Sequence, residues 1–207
     1  MIKLEDGRYI IGFDNCYQFG KTANFMFDNG VYPLGKVEPS IKEHSVKYEN
    51  KYYKVAEGRA AITEEKVSDE NARLLTMVAI AKELSEEGVT KADVILAVGL
   101  PFSDYGREKK TLVDYYDQKP VLKYEYEGIK LSVTIHKVFV FPQCYAAISP
   151  RLSNMKKDYL IVDIGSKTTD VIYIKNGIPV ESKSITLERA MMKWIRQIQG
   201  SLQIQYG

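Results

Sequence analysis

The sequence predicts an α/β fold built on two mixed sheets. Three observations point there. Apolar runs of strand length alternate with longer stretches of helical periodicity, the pattern of helices packed on sheets. The run 94–98 (Val-Ile-Leu-Ala-Val) is apolar throughout, as expected of a central strand covered on both faces. One arrangement also occurs twice: a strand ending in an acidic residue, a polar turn, a second strand, then a third strand and a helix. It begins at residue 9, with Asp14 at its tip, and again at residue 159, with Asp163 at its tip. Two related units, each presenting an acidic hairpin tip, are expected to face one ligand.

The elements follow in order. Residues 9–13 form a short apolar strand closed by Asp14, and a second strand is expected over 22–27, after the polar-aromatic turn 15–21. The stretch 28–68 is rich in Gly, Pro and charge and reads as less regular. Inside it, 45–48 and 51–55 bracket Glu49-Asn50 as a hairpin. Ser68 or Asp69 can cap a helix that runs to Glu87 and stops at Gly88, with Leu74, Leu75, Val78, Ala81 and Leu84 at helical spacing. Gly99-Leu100-Pro101 breaks the strand before it, and a polar helix is expected over 105–116. Strands 121–126 and 129–138 make a hairpin around Glu127-Gly128. Phe141-Pro142-Gln143 ends the strands, and a short helix covers 144–152. Strands 159–163 and 171–174 flank the second acidic turn. A third strand, 178–185, lies across Asn176-Gly177, and a last helix is expected over 186–198.

Composition narrows the function classes. With 207 residues, 45% of them hydrophobic, the chain can bury a sizeable core. A formal charge of +2, with lysines spread along the chain rather than clustered, gives no electrostatic argument for nucleic acid, acidic membranes or polyanionic substrates. No apolar run approaches the ~20 residues that span a bilayer. The N-terminus has no apolar stretch or small-residue cleavage site of the signal-peptide kind. Cys16 and Cys144 do not make a disulfide framework, so a reducing cytoplasm is the expected compartment. His44 and His136 lack partners at zinc-ligand spacing.

The most chemistry lies in Asp163-Ile164-Gly165-Ser166-Lys167-Thr168-Thr169-Asp170. Carboxylates, hydroxyls and turn N–H groups meet at one hairpin tip. Such a tip can receive a phosphate and, through the carboxylates, the hydrated Mg²⁺ that accompanies it. Taken alone, the octapeptide equally fits an ordinary hairpin with a polar turn. In a regular strand Thr169 and Asp170 point to opposite faces, so both cannot enter a site by side chain. By themselves, Asp14 also fits a turn-forming Asp, Lys21 a solvated strand residue and Gln143 a helix cap.

Taken together, the motifs resemble the actin / sugar-kinase / chaperone ATPase superfamily, and within it the ParM-type bacterial actin-like proteins. The likeness rests on Gly12-Phe13-Asp14 with Lys21-Thr22-Ala23-Asn24, on Val98-Gly99-Leu100-Pro101, on Phe141-Pro142-Gln143, on the 163–170 octapeptide and on Pro179-Val180-Glu181-Ser182. It implies an actin-like (ribonuclease-H-like) fold. Residues 1–147 would be the first domain, with a smaller irregular subdomain over 29–68, and 148–207 a linking helix and the beginning of an incomplete second domain. It implies ATP and Mg²⁺ as ligands. Asp14 and Asp163 would hold Mg²⁺ through water, and Lys21 would reach the phosphates. Gly165, Thr168 and Thr169 would line the second phosphate hairpin, while Gln143 and Asp170 would orient the attacking water. The implied activity is ATP-dependent polymerisation in plasmid segregation. Partners would be further copies or a full-length actin-like protein, with DNA reached only through an adaptor and no membrane.

Two departures bear on that expectation. The family has Gly where this chain has Cys16 and Gln18, and Gly lets the backbone approach phosphates closely; Gly20 would compensate in part if the loop is shifted. The relatives also carry their adenine-binding segment beyond the position of Gly207. Weak or absent ATPase activity is therefore expected. A non-catalytic actin-like cap or regulator and a sugar- or acetate-kinase-like phosphotransferase stand as alternatives.

Overall fold

The computed structural model describes residues 1–16, 18–58, 70–154, 157–166 and 168–206. The chain packs as two units, Met1–Leu100 with Arg107–Val140, and Pro101–Gly106 with Phe141 onward.

The first unit is a mixed ten-stranded sheet. Numbered along the chain, its strands are β1 (Ile2–Lys3), β2 (Tyr9–Asn15), β3 (Phe19–Lys21), β4 (Met26–Asp28), β5 (Val31–Gly35), β6 (Ser45–Tyr48), β7 (Lys51–Val55), β8 (Lys91–Leu100), β9 (Val121–Tyr126) and β10 (Ile129–Pro142). Across the sheet they run β4-β3-β2-β8-β10-β9-β6-β7-β5, with β1 on β2. β2 and β8 are parallel, from Tyr9↔Val94 to Phe13↔Val98, while β9–β10 and β6–β7 are antiparallel hairpins. The turns Glu49-Asn50 and Glu127-Gly128 hold both residues at positive φ, the type I′ geometry that matches strand twist.

Helix α1 (Glu70–Ser85) packs on this sheet and is buried continuously from Arg73 to Ala81. Tyr9, Ile11 and Phe13 of β2, Val94, Leu96 and Val98 of β8, and Leu122 and Tyr124 of β9 are buried at alternate positions. The Tyr124 hydroxyl donates to the Met77 carbonyl of α1 at 2.8 Å, fixing which face of β9 the helix covers. Helix α2 (Phe102–Asp117) joins α1 through Arg73, which lies over the Tyr115 ring and donates to the Tyr115 carbonyl.

The second unit has its own sheet, as expected from the sequence. β11 (Tyr159–Ile164), β12 (Thr169–Lys175) and β13 (Ile178–Pro179) lie in that order, and β14 (Ile185–Leu187) also pairs with β12. Its core is Ile172 and Ile174 against Cys144 of helix α3 (Gln143–Ile148), with Phe102, Ile148 and Ile161 packed around them. A 3₁₀ turn, Ser149–Asn154, follows α3.

Four expectations are corrected. The strand expected over 22–27 is two strands, β3 and β4. Between them Thr22 and Phe25 close a turn, with Thr22 N–H donating to the Phe25 carbonyl at 2.8 Å, because Asn24 is drawn to Glu83. The strand expected over 178–185 is β13 and β14 separated by a 3₁₀ turn, Glu181–Lys183, closed by the Ser184 hydroxyl on the Val180 carbonyl. The helix expected from 186 begins later, as α4 (Met191–Tyr206), because 185–187 pair with β12 instead. The irregular stretch after Asp28 contributes a strand, β5, to the sheet edge. The cap assigned to Ser68 or Asp69 lies outside the described residues.

Candidate functional site

The two acidic turns have the same build. In the first unit Asp14 on β2 is paired with Lys21 on β3, and in the second Asp163 on β11 is paired with Asp170 on β12. Each pair spans the same sequence interval around its turn. Directly paired residues of an antiparallel ladder share a face, so each hairpin sets an Asp and a second charged side chain side by side at its tip.

At the first hairpin the turn is pinned from below. Cys16 N–H donates to the Phe19 carbonyl at 3.0 Å, and the buried Asn29 amide donates to the Cys16 carbonyl at 2.7 Å. The Cys16 thiol donates to Asp14 Oδ2 at 3.0 Å. Gly20 does not loosen the turn. It sits within β3, and a Cβ there would meet the Phe27 ring at 2.6 Å and Phe13 at 3.0 Å. Those rings stack with centroids 6.0 Å apart, so the bare glycine is what lets them close under the hairpin. Lys21 is exposed beside Asp14.

At the second hairpin Gly165 N–H donates to the Thr168 carbonyl at 2.9 Å, and a Cβ on Gly165 would lie 3.0 Å from that carbonyl. The far side of the turn is held by α4, whose Met191 and Met192 N–H groups donate to the Gly165 and Ser166 carbonyls at 3.3 and 3.2 Å. The turn's carbonyls are thereby drawn to a helix N-terminus. The Thr169 hydroxyl donates to the Arg189 carbonyl at 2.7 Å, so it serves the link to α4. Asp163 is exposed. Asp170 is buried and accepts from the Thr186 hydroxyl of β14. Burial pushes the Asp170 carboxyl above its ordinary range. Thr186 opposes that shift, and the nearby Asp163 and Asp104 add to it.

Within the second unit, the structure therefore gathers Asp163, Asp170 and the turn residues Gly165, Thr168 and Thr169 at one end of the sheet. Gln143 is the first residue of α3 and directly precedes Cys144, which is buried against Ile172 and Ile174 of β12. Within the first unit, Asp14 and Lys21 come together on one hairpin. Sequence reading missed Asp104, in the first turn of α2, whose signal is an acid just after the Pro101 break. It also missed Thr186, hidden because its segment reads as helix.

Taken one hairpin at a time, the carboxylates are the donor type that suits a hydrated Mg²⁺. Each hairpin offers a hard carboxylate oxygen, and Mg²⁺ keeps most of its waters. Among the described residues no group of three or more His, Cys, Asp or Glu is placed to hold a metal directly. No described helix is long and apolar enough to cross a membrane.

A search by sequence against curated proteins finds no match. By structure, the chain is similar to apo psk41 ParM, with a TM-score of 0.70 at 16% identity over 96% of this chain and 73% of that one. It is similar to AlfA in a filament bound to AMPPNP, with a TM-score of 0.71 at 17% identity over 95% of this chain and 76% of that one. It is also similar to the archaeal actin homolog Ta0583 in complex with ADP, with a TM-score of 0.73 at 19% identity over 96% of this chain and 66% of that one. These likenesses establish the actin-like fold. The family described as the N-terminal domain of actin-like proteins matches residues 21–145, more than half of the sequence. The chain belongs to the actin-like protein family.

Proposed function

We propose that this chain is an actin-like nucleotide-binding filament protein of the plasmid-segregation type, with ATP and Mg²⁺ as its ligands. The observation that carries the reading is the matched pair of hairpins, Asp14 with Lys21 and Asp163 with Asp170, each at the tip of a tight antiparallel turn. The neighbours bound to AMPPNP and ADP support it. In this reading Lys21 meets the phosphates as a point charge. Asp14 and Asp163 would hold the metal through its water shell, and the charge neutralisation needed for phosphoryl transfer would come from that metal when bound. Thr168 and Thr169 contribute through the backbone of the turn, since the Thr169 hydroxyl is committed to Arg189. Gln143 and Asp170 orient the attacking water, Asp170 from a carboxylate already tied to Thr186. Polymerisation joins further copies, in the cytoplasm, and DNA is reached through an adaptor.

A second reading, a non-catalytic member that binds other actin-like subunits, is favoured by one observation. The Cys16 thiol donates to Asp14 Oδ2 at 3.0 Å, engaging the carboxylate that the first reading assigns to the hydrated metal. Calorimetric titration with Mg·ATP, phosphate release and sedimentation separate the two. The first reading expects weak binding and slow release by the unmodified chain, and tighter binding by the Cys16→Gly, Gln18→Gly variant. If neither protein binds Mg·ATP and the chain instead co-sediments with a full-length actin-like filament, the second reading replaces the first.

A further inference from the structure

The outer face of the first sheet, opposite α1, carries a groove of about 670 Å³ that the nucleotide reading does not use. Its floor is set by strand alternation. Leu122, Tyr124 and Tyr126 of β9 are buried, so Lys123 and Glu125 face outward. Register then places Lys47 of β6 and Lys130 of β10 on either side of Glu125, and Ser132 beside Lys123. Lys91 at the start of β8 also lines the groove.

The charge in this groove is unbalanced. Among the described residues, Lys91, Lys123 and Lys130 have no carboxylate within ion-pair distance, whereas Glu49 is held by Lys119 at 2.6 Å. For a chain whose net charge is only +2, this is a concentrated cationic surface on rigid strands.

The geometry points to an extended acidic peptide segment of a partner protein as the occupant. Side chains on one face of an extended peptide repeat every ~7 Å, and lysines on neighbouring strands and alternate positions are spaced by about 5 to 10 Å. Carboxylates of such a peptide would meet the lysines in turn, while Ser132 and Thr90 offer hydroxyls. A phosphate backbone fits less well. The lining has no Arg fork and no exposed aromatic ring for base stacking, and Glu125 stands among the lysines.

The test uses the full chain and a fluorescein-labelled peptide of alternating glutamate and serine, read by anisotropy at low and high salt. Binding that weakens with salt, and weakens at least about tenfold when Lys91, Lys123 and Lys130 are all replaced by Glu, is expected. Carbodiimide coupling should join the peptide to those same lysines. If charge reversal unfolds the protein, the Lys→Gln versions keep the polar stems and are read in the same way. No binding at low salt, equal binding by the variants, or displacement of the peptide by a tighter-binding oligothymidylate would each overturn the assignment.

Discussion

At the residue scale, the most consequential polar contact outside the hairpins is buried. Glu83 of α1 lies fully inside, where it pairs with the Met1 ammonium at 2.6 Å and accepts from the Asn24 N–H and side-chain amide at 3.0 and 2.9 Å. Burial pushes the Glu83 carboxyl up, but the ammonium, Thr22 and Asn24 together hold it below its ordinary value. Its folded form is therefore ionised, and the stability it contributes is present at neutral pH and lost as pH falls through its depressed value. Glu83→Gln leaves a buried ammonium without its counter-charge and should lower stability by about 3 kcal/mol in denaturant titrations at neutral pH. Asp170 has the opposite sign. Its raised carboxyl opposes folding at neutral pH and ceases to do so as pH drops below its raised folded value. Asp170→Asn keeps an acceptor for Thr186 and should raise the melting temperature at pH 7. That gain should shrink as the pH is lowered into the acid range; a gain independent of pH would exclude the linkage.

At the element scale, the first acidic hairpin is braced by its underside. β3 can lie on β4 with Phe13 and Phe27 stacked only because Gly20 has no side chain. Gly20→Ala should displace the Phe27 ring and cost about 2 kcal/mol by overpacking. Near-ultraviolet circular dichroism should report the lost ring packing, and an unchanged spectrum and melting curve would show that the rings give way freely. The second hairpin is braced differently, through backbone bonds from α4 to the turn carbonyls. Its geometry thus depends on a helix that starts more than twenty residues later in the chain.

At the scale of the whole molecule, apolar surface is unevenly covered. In the second unit Leu160, Val162 and Ile164 share one face of β11, at 63%, 53% and 49% exposure, and ladder pairing sets Ile185 and Leu187 of β14 on the same face through β12. A contiguous patch of this kind marks a surface that is covered in the working state. The chain should therefore bind a hydrophobic dye and associate as concentration rises in sedimentation velocity runs. Val162→Lys should reduce both while leaving far-ultraviolet circular dichroism unchanged. Equal dye binding by the variant would place the exposed surface elsewhere.

The sequence by itself determined the two-sheet α/β architecture, the turns at Glu49-Asn50, Glu127-Gly128 and Asn176-Gly177, the buried strand β8 and the position of both acidic turns. All of these rest on local rules: period-two alternation, turn dipeptides such as Asn176-Gly177, and a continuous apolar run. It did not determine where strands break, because those breaks answer to distant partners. Asn24 leaves the strand for Glu83, and Thr186 stays in a ladder because Asp170 takes its hydroxyl. Only the tertiary structure decided that Gly20 serves ring packing rather than loop freedom, that the Thr169 hydroxyl goes to the Arg189 carbonyl just before α4, and that Asp104 adds a third carboxylate near Asp163 and Asp170. The physical reason is the same in each case. A side chain's local pattern fixes which face it occupies, but its partner on that face comes from a remote segment that periodicity cannot see.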